Sequence, residues 1–295
     1  HDLGTGTYTI MTQVAADELG LPLEKVTAEL GDSSLPEAPV SGGSQSAGSI
    51  LPAVQMACRS ALGKLKALAT ANETSPLHGV APDDIEAAEG ALRMKSDPTR
   101  SVAYAAIFAQ TGEGVVEATE KADPAAEKKD KREQGPTAKP TVAFQSYGAF
   151  FVEVHVHRLT GETRVKRIVA AMDIGQPLNL KTARSQIIGG TAFGIGAALS
   201  EHSIYDETSG AWITQDLGSY HVPVNADVPE IDVSFVGPPD FEFNAIGARG
   251  IGEIGNTGIS AAIGNAVYHA TGVRVRDLPI TPEKILAGLP HEGTA

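Results

Sequence analysis

Apolar residues near the start of the chain return every three or four positions. Ile10, Met11, Val14, Ala15 and Leu19 share one side of a predicted helix, which Gly20 and Pro22 end. A longer series, Leu51, Val54, Cys58, Leu62, Leu65 and Leu68, predicts a helix from about Ser49 to Ala69, with Pro52 in its first turn, where a missing N–H costs little. A period of two replaces this spacing over Phe150 to His157 and again over Arg164 to Ala171, and Thr160-Gly161 between them predicts a hairpin. Glu89-Gly90 marks another hairpin, with a short helix from about Ser101. Shorter runs at Val26 to Leu30, Ser203 to Asp206, Ala211 to Ile213, Ile231 to Val236 and Val273 to Val275 read as strands. Further helices are expected from Thr182 to Ser200, from Asn256 or Thr257 to the break at Gly272, and from Pro282 to Leu289. The layout predicts an α+β fold of two lobes, each of mixed or antiparallel sheet with helices packed on it. The first lobe covers 1–116 and the second 142–295. Between them 117–141 reads as a charged linker or exposed loop, because Glu117 to Lys139 holds no aromatic and no large apolar residue to offset chain entropy.

Composition narrows the function. A chain of 295 residues that is 42% hydrophobic can bury a substantial core. Its 23 basic and 36 acidic residues leave a net charge of −13, which argues against nucleic acid as a partner. No apolar run approaches the roughly 20 residues of a membrane span, and no basic segment precedes an apolar one at the start. A membrane partner is therefore not expected, and the cytoplasm is the expected compartment, or the periplasm if a partner subunit carries the export signal. The single cysteine, Cys58, cannot hold an iron–sulfur cluster alone and reads as a structural thiol; any electron relay lies on another chain. Glu153, His155 and His157 share a strand face, but alternation on a solvated face produces the same pattern, and no side-chain metal site is assigned.

The candidate chemistry lies in glycine-rich turns. Five glycines from Gly247 to Gly258 enclose one carboxylate, Glu253, about a turn before a predicted helix, where negative charge is favoured. By itself that is equally well a helix-capping glutamate. Gly250 to Gly255 also fits Gly-x-Gly-x-x-Gly, yet no strand directly precedes it, as a dinucleotide site requires. A Gly-Thr-Gly-Thr turn at 4–7 and a Ser/Gly-rich loop at 41–48 each feed a helix, where N–H groups can hold an anion. The Thr182 to Ser200 helix contains Gly189, Gly190, Gly194 and Gly196. Glycine costs roughly 0.8–1 kcal/mol each in a helix interior, so something packs close, either another element or a cofactor.

Arg249-Gly250-Ile251-Gly252-Glu253 resembles the Gly-x-Gly-Glu loop of the xanthine oxidase family of molybdenum hydroxylases. The 173–186 stretch is similar to the family's Asp-x-Gly-x-x-x-Asn-Pro segment and following Gly-Gln-x-x-Gly-Gly helix, with Leu180 where Pro is usual and Ser185 where Gly is usual. His1 to Thr9 resembles the opening contact segment of the bacterial aldehyde oxidoreductases. The likeness implies the later, C-terminal molybdenum-binding part of a large subunit that in the family is more than twice as long. It implies Glu253 as the catalytic base. It also implies cofactor contacts at Gly4, Thr5, Gly6 and Thr7, at Ser44, Gln45, Ala47 and Gly48, at Gln176, Asn179, Thr182 and Gln186, and at Arg249, Gly250, Ile251 and Gly252. The implied cofactor is molybdopterin with molybdenum, in the cytosine dinucleotide form, with iron–sulfur clusters and FAD only on partner chains or domains. The implied partners are the earlier molybdenum domain, the iron–sulfur and FAD subunits and a small aldehyde, which water would oxygenate to the acid. The isolated chain is expected to be inactive. N-heterocycle hydroxylation, a noncatalytic scaffold lobe and a nicotinamide enzyme are the alternatives.

Overall fold

The computed structural model describes residues 1–122 and 145–290. The expected linker, from 123 onward, lies outside the described residues. The chain forms two compact units, one of His1–Ala143 with Asp240–Ala248, the other of Phe144–Pro239 with Arg249–Ala295. Assignment of 240–248 to the first unit differs from a second lobe running unbroken over 142–295.

In the first unit, helix α1 (Thr7–Leu19) ends at Gly20, which is left-handed at φ 59°. A Cβ at Gly20 would lie 2.5 Å from the Ala87 carbonyl, so the stop signal is also a close approach. Helix α2 (Ser46–Ala71) begins three residues before its predicted start. Pro52 consequently falls in the second turn rather than the first, and lacks the N–H that would reach the Gly48 carbonyl. It is buried there. Glu18 of α1 ties the two helices by accepting from Arg59 Nε at 2.8 Å and Nη2 at 2.9 Å. Cys58 beside this pair is half-buried, and burial, with the Glu18 charge second, pushes its thiol up. That suits a packing role.

Strands β1 (Ile85–Ala88), β2 (Ala91–Met94) and β3 (Asp97–Ala103) make an antiparallel meander. The β1–β2 turn has Glu89 at φ 53° and Gly90 at φ 75°, the pair of positive values that a tight hairpin needs. Ser101 was expected to open a helix. It belongs to β3 instead, because Val102 pairs with Leu92 and is buried, and helix α3 (Tyr104–Thr111) starts three residues later. The core joins Leu65, Ala69, Leu77, Ile85, Leu92, Val102 and Ile107. Val26 to Leu30 is not a strand: Val26 is extended, but the run pairs with no strand among the described residues.

The second unit is built on strands β4 (Tyr147–Val156) and β5 (Thr163–Asp173), an antiparallel pair whose register shifts at Glu153/Val154. Helix α4 (Leu180–Leu199) follows, then the two-residue strands β6 (Tyr205–Asp206) and β7 (Ala211–Trp212). Strand β8 (Glu230–Phe235) adds in parallel to β5. Phe150, Val152, Val154 and Val156 face the core, whereas Phe151, Glu153 and His155 are exposed, as alternation dictates. The single helix expected from Asn256 or Thr257 is instead α5 (Ile254–Thr257) and α6 (Ile259–Thr271), separated at Gly258, where a Cβ would press the Phe150 ring at 3.0 Å. Val273 to Val275 forms no strand. Helix α7 (Pro282–Gly288) follows, and α4 and α6 bury Ile195, Ile259, Ile263 and Val267 against Ile168 and Ile231.

The glycines of α4 divide sharply. A Cβ at Gly190 would meet the Gly255 backbone at 2.9 Å and one at Gly194 would lie 1.5 Å from Ile259 Cγ2, whereas Gly189 faces open space. Packing of α5 and α6 accounts for Gly190 and Gly194. Gly194→Ala is therefore expected to lower stability by about 1–3 kcal/mol through overpacking, and Gly189→Ala to raise it by about 0.5–1 kcal/mol. Urea midpoints of the two variants check both signs.

Candidate active site

In the first unit the Gly-Thr-Gly-Thr turn already holds an anion of its own. The Asp2 carboxylate accepts the N–H groups of Gly4 and Thr5 at 2.8 Å each, Tyr8 at 3.2 Å and Gly6 at 3.3 Å. Burial pushes this carboxyl up, and the N–H groups of Tyr8, Gly4, Thr5 and Gly6 outweigh it, leaving Asp2 below its ordinary value. What the turn offers a ligand beyond Asp2 is its hydroxyls, and Thr5 and Thr7 already bond each other at 3.2 Å.

The second loop behaves differently. Gly43 and Ser44 are both left-handed, at φ 64° and 56°, and Gln45 makes no side-chain cap on α2. The N–H groups of Ser46, Ala47 and Gly48 thus form a helix start that no side chain of the N-cap residue covers, the arrangement that suits a phosphate or other acceptor. Ala47 and Gly48, expected in a loop, belong to the first turn of α2. A Cβ at Gly48 would lie 2.9 Å from the Phe243 ring, so its lack of a side chain serves packing within the unit. His1 and Ser41 join the two loops: the Ser41 hydroxyl donates to the His1 carbonyl at 3.0 Å. The structure thereby brings 1–7 and 41–48 together.

In the second unit Glu253 is the N-cap residue of α5 and is exposed. Its loop is held at both ends. On the far side, a Cβ at Gly255 would lie 2.8 Å from the Ile187 carbonyl and 3.2 Å from that of Gln186, so α5 sits directly on the Gln186 turn of α4. Gln186 and Glu253 therefore occupy adjoining elements. On the near side, the Arg249 guanidinium bonds the Asp173 carboxylate, Arg249 N–H donates to the Ile174 carbonyl at 2.8 Å, and Ser146 Oγ donates to the Gly250 carbonyl at 2.6 Å. Asp173 is only 5% exposed. Burial pushes its carboxyl up, but the Gly175 N–H, the Tyr147 hydroxyl and Arg249 together hold it below the ordinary carboxylate value. The same bond raises Tyr147, whose hydroxyl donates to Asp173.

Between these ends lie Gln176, exposed after left-handed Gly175, and Asn179, whose side-chain carbonyl accepts Thr182 N–H at 2.9 Å and caps α4. Thr182 and Gln186 then follow one turn apart on one face. Three groups here were not singled out by residue pattern. Asp2 and Tyr147 gave no signal in the sequence. Asp173 did, as a lone acid closing an apolar strand upstream of an arginine in a glycine loop. The dinucleotide alternative loses its structural context: β8 ends at Phe235, well before Gly250, and α5 is four residues long.

The fold and these loops define a class. The chain belongs to the molybdopterin cofactor-binding family, within the xanthine oxidase type of molybdenum hydroxylases, and the family's molybdopterin cofactor-binding domain matches residues 1–229. Among its relatives is the aldehyde oxidoreductase molybdenum-binding subunit PaoC of Escherichia coli K12, 40% identical over 289 residues that cover 98% of this chain and 36% of that subunit. The probable hypoxanthine oxidase XdhD of the same strain is 41% identical over 150 residues, 51% of this chain and 16% of that protein. Of solved structures, quinoline 2-oxidoreductase from Pseudomonas putida 86 superposes with a TM-score of 0.82 at 26% identity, covering 98% of this chain and 36% of its own. The chain thus spans about a third of the length of PaoC.

The residues present fit a molybdopterin. The α2 start is a row of N–H donors suited to phosphate or pterin oxygens, and Gln186 offers both a donor and an acceptor.

Because folded Asp2 titrates below its ordinary value of 3.8, its contribution is complete above that pH and is lost as pH falls through the folded value. Asp2→Ala is expected to lower stability by on the order of 1 kcal/mol at pH 6 and by less at pH 2. Thermal midpoints at the two pH values check this.

Proposed function

We propose that this chain forms part of the molybdenum-binding subunit of an oxidoreductase that hydroxylates small aldehydes to carboxylic acids, with water as the oxygen source. The observation that carries the reading is Glu253 fixed at the start of α5 between the Asp173–Arg249 pair and the Gly255 contact on α4, in a chain of the molybdopterin-binding family.

The cofactor, taken as the cytosine dinucleotide form, would supply the metal centre that takes up the hydrogen and electron pair of the aldehyde C–H bond, which breaks as the new C–O bond forms. The chain's residues do the rest. Ser44, Gln45 and the N–H groups of Ala47 and Gly48 hold acceptor oxygens of the cofactor, with Gly4 to Thr7 beside them. Gln176, Asn179, Thr182 and Gln186 are further proposed contacts, and the backbone from Arg249 to Gly252 carries Glu253. A carboxylate oxygen of Glu253 takes the proton of the hydroxyl that attacks the aldehyde carbon, which is general-base catalysis. Its exposure within this chain fits a site completed by the length that PaoC carries beyond the match. The metal would be held by the cofactor itself. Iron–sulfur and FAD subunits are proposed as the electron acceptors, and the earlier molybdenum domain as the partner that encloses the cofactor.

A second substrate class is kept by the relatives: XdhD is a probable hypoxanthine oxidase and the Pseudomonas protein a quinoline oxidoreductase. The 40% identity along nearly the whole chain to an aldehyde oxidoreductase subunit favours aldehydes. In the full-length enzyme Glu253→Gln is expected to keep molybdenum and pterin and to lose about 10²- to 10⁴-fold in kcat/KM with benzaldehyde. Steady-state assays with benzaldehyde and hypoxanthine check both points. Unchanged turnover by the loaded variant would remove Glu253 from the chemistry, and a preference for hypoxanthine would reverse the substrate class.

A further inference from the structure

We infer that Asp173 and Arg249 are positioning residues for Glu253, acting through the backbone that joins them, an inference that rests on the role of Glu253 proposed above. The loop from Arg249 to Glu253 contains Gly250 and Gly252, and glycine-rich backbone does not hold a shape on its own. A base has to stand within hydrogen-bond reach of the proton it takes, and a misplacement near 1 Å costs about 10²-fold. Something outside the loop must therefore fix it.

The structure supplies that restraint at the mouth of β5. Arg249 is anchored by side chain and main chain together: its guanidinium bonds Asp173 and donates to the Gln145 carbonyl at 3.2 Å, and its N–H bonds Ile174 at 2.8 Å. Asp173 is itself immobilised by the Gly175 N–H at 3.2 Å and by the Tyr147 hydroxyl. Space for this carboxylate comes from Gly237, left-handed at φ 84°, where a Cβ would lie 2.3 Å from Asp173 Oδ2. A buried ion pair with a recess kept open for it by a glycine, on the strand that ends at the functional loop, has a purpose beyond general stability. Hydrophobic side chains of similar volume are often as stable as such pairs. What the pair adds is direction: it sets where Arg249 starts the loop, and Gly255 on Ile187 sets where the loop ends. Three residues separate Glu253 from Arg249, and one separates it from Gly255.

The test uses the full-length, cofactor-loaded enzyme with benzaldehyde. Asp173→Asn and Arg249→Lys are expected to retain molybdenum and pterin, to lose about 10- to 100-fold in kcat with KM within about 3-fold, and to speed amide exchange at 250–255. Combined with Glu253→Gln, Asp173→Asn is expected to add nothing further, because the base it positions is gone. Gly237→Ala leaves both charged groups in place while crowding Oδ2, and is expected to reproduce the kcat loss if the polar variants fold poorly. Full kcat in Asp173→Asn with Glu253→Gln inactive overturns the positioning role alone. An additive loss in the double variant, or unchanged exchange at 250–255, also overturns it. Full activity in Glu253→Gln removes the proposed base, and with it the reading on which the positioning role rests.

Discussion

A carboxylate that is 5% exposed has to be met by donors on every side, and Asp173 is met by a guanidinium, a backbone N–H and a phenol. The desolvation of such a group is several kcal/mol, returned only when the partners are well placed. That condition makes the pair a geometric constraint rather than a mere contact. Arg249 has to sit at the end of β5, and the glycine loop that follows it has to begin there. The second constraint is steric. Small residues on α4 let α5 approach until Gly255 touches Ile187, which leaves Glu253 suspended between an ion pair and a backbone contact. Glycine in this chain thus does two opposite things: it loosens the loop at Gly250 and Gly252, and at Gly190, Gly194 and Gly255 it permits the packing that stops the loop from wandering.

The first unit uses the same physics with a different outcome. Two helix starts lie side by side, joined through His1 and Ser41. One is occupied by the chain's own carboxylate, Asp2, and the other lacks a side-chain cap. A helix N-terminus attracts negative charge by its N–H groups and dipole, and this difference makes the α2 start the better suited of the two proposed phosphate or pterin contacts, although sequence spacing made both look alike.

Much of the fold was legible because its signals are local and periodic. The alternation of β4 and β5, the helical spacing of α1, α2 and α4 and the Glu89-Gly90 turn all appear in the structure within a few residues. Readings that failed turned on neighbours that a sequence does not display. Val26 to Leu30 has the composition of a strand and pairs with none among the described residues; Ser101 looks like a helix start but is held in β3 by the pairing of Val102 with Leu92. Glu253 stood out as the one acid among glycines. Asp173 left a trace as the lone acid closing an apolar strand, but Tyr147 and Gly237 did not, because they are distant in sequence from the loop and are brought near it by the β4–β5–β8 sheet. The grouping of Asp240–Ala248 with the first unit was hidden for a similar reason: it brings Phe243 against Gly48.

The central claim is that this fixed carboxylate faces the cofactor of a molybdenum hydroxylase. A crystal structure of the full-length enzyme loaded with molybdopterin tests it most directly, through the distance from the Glu253 carboxylate to the atoms bound to the metal. The account predicts hydrogen-bond reach, about 2.6–3.2 Å or one bridging water, with Arg249 still paired to Asp173. A Glu253 side chain turned to bulk solvent, with the metal centre beyond the reach of a water bridge, would contradict it.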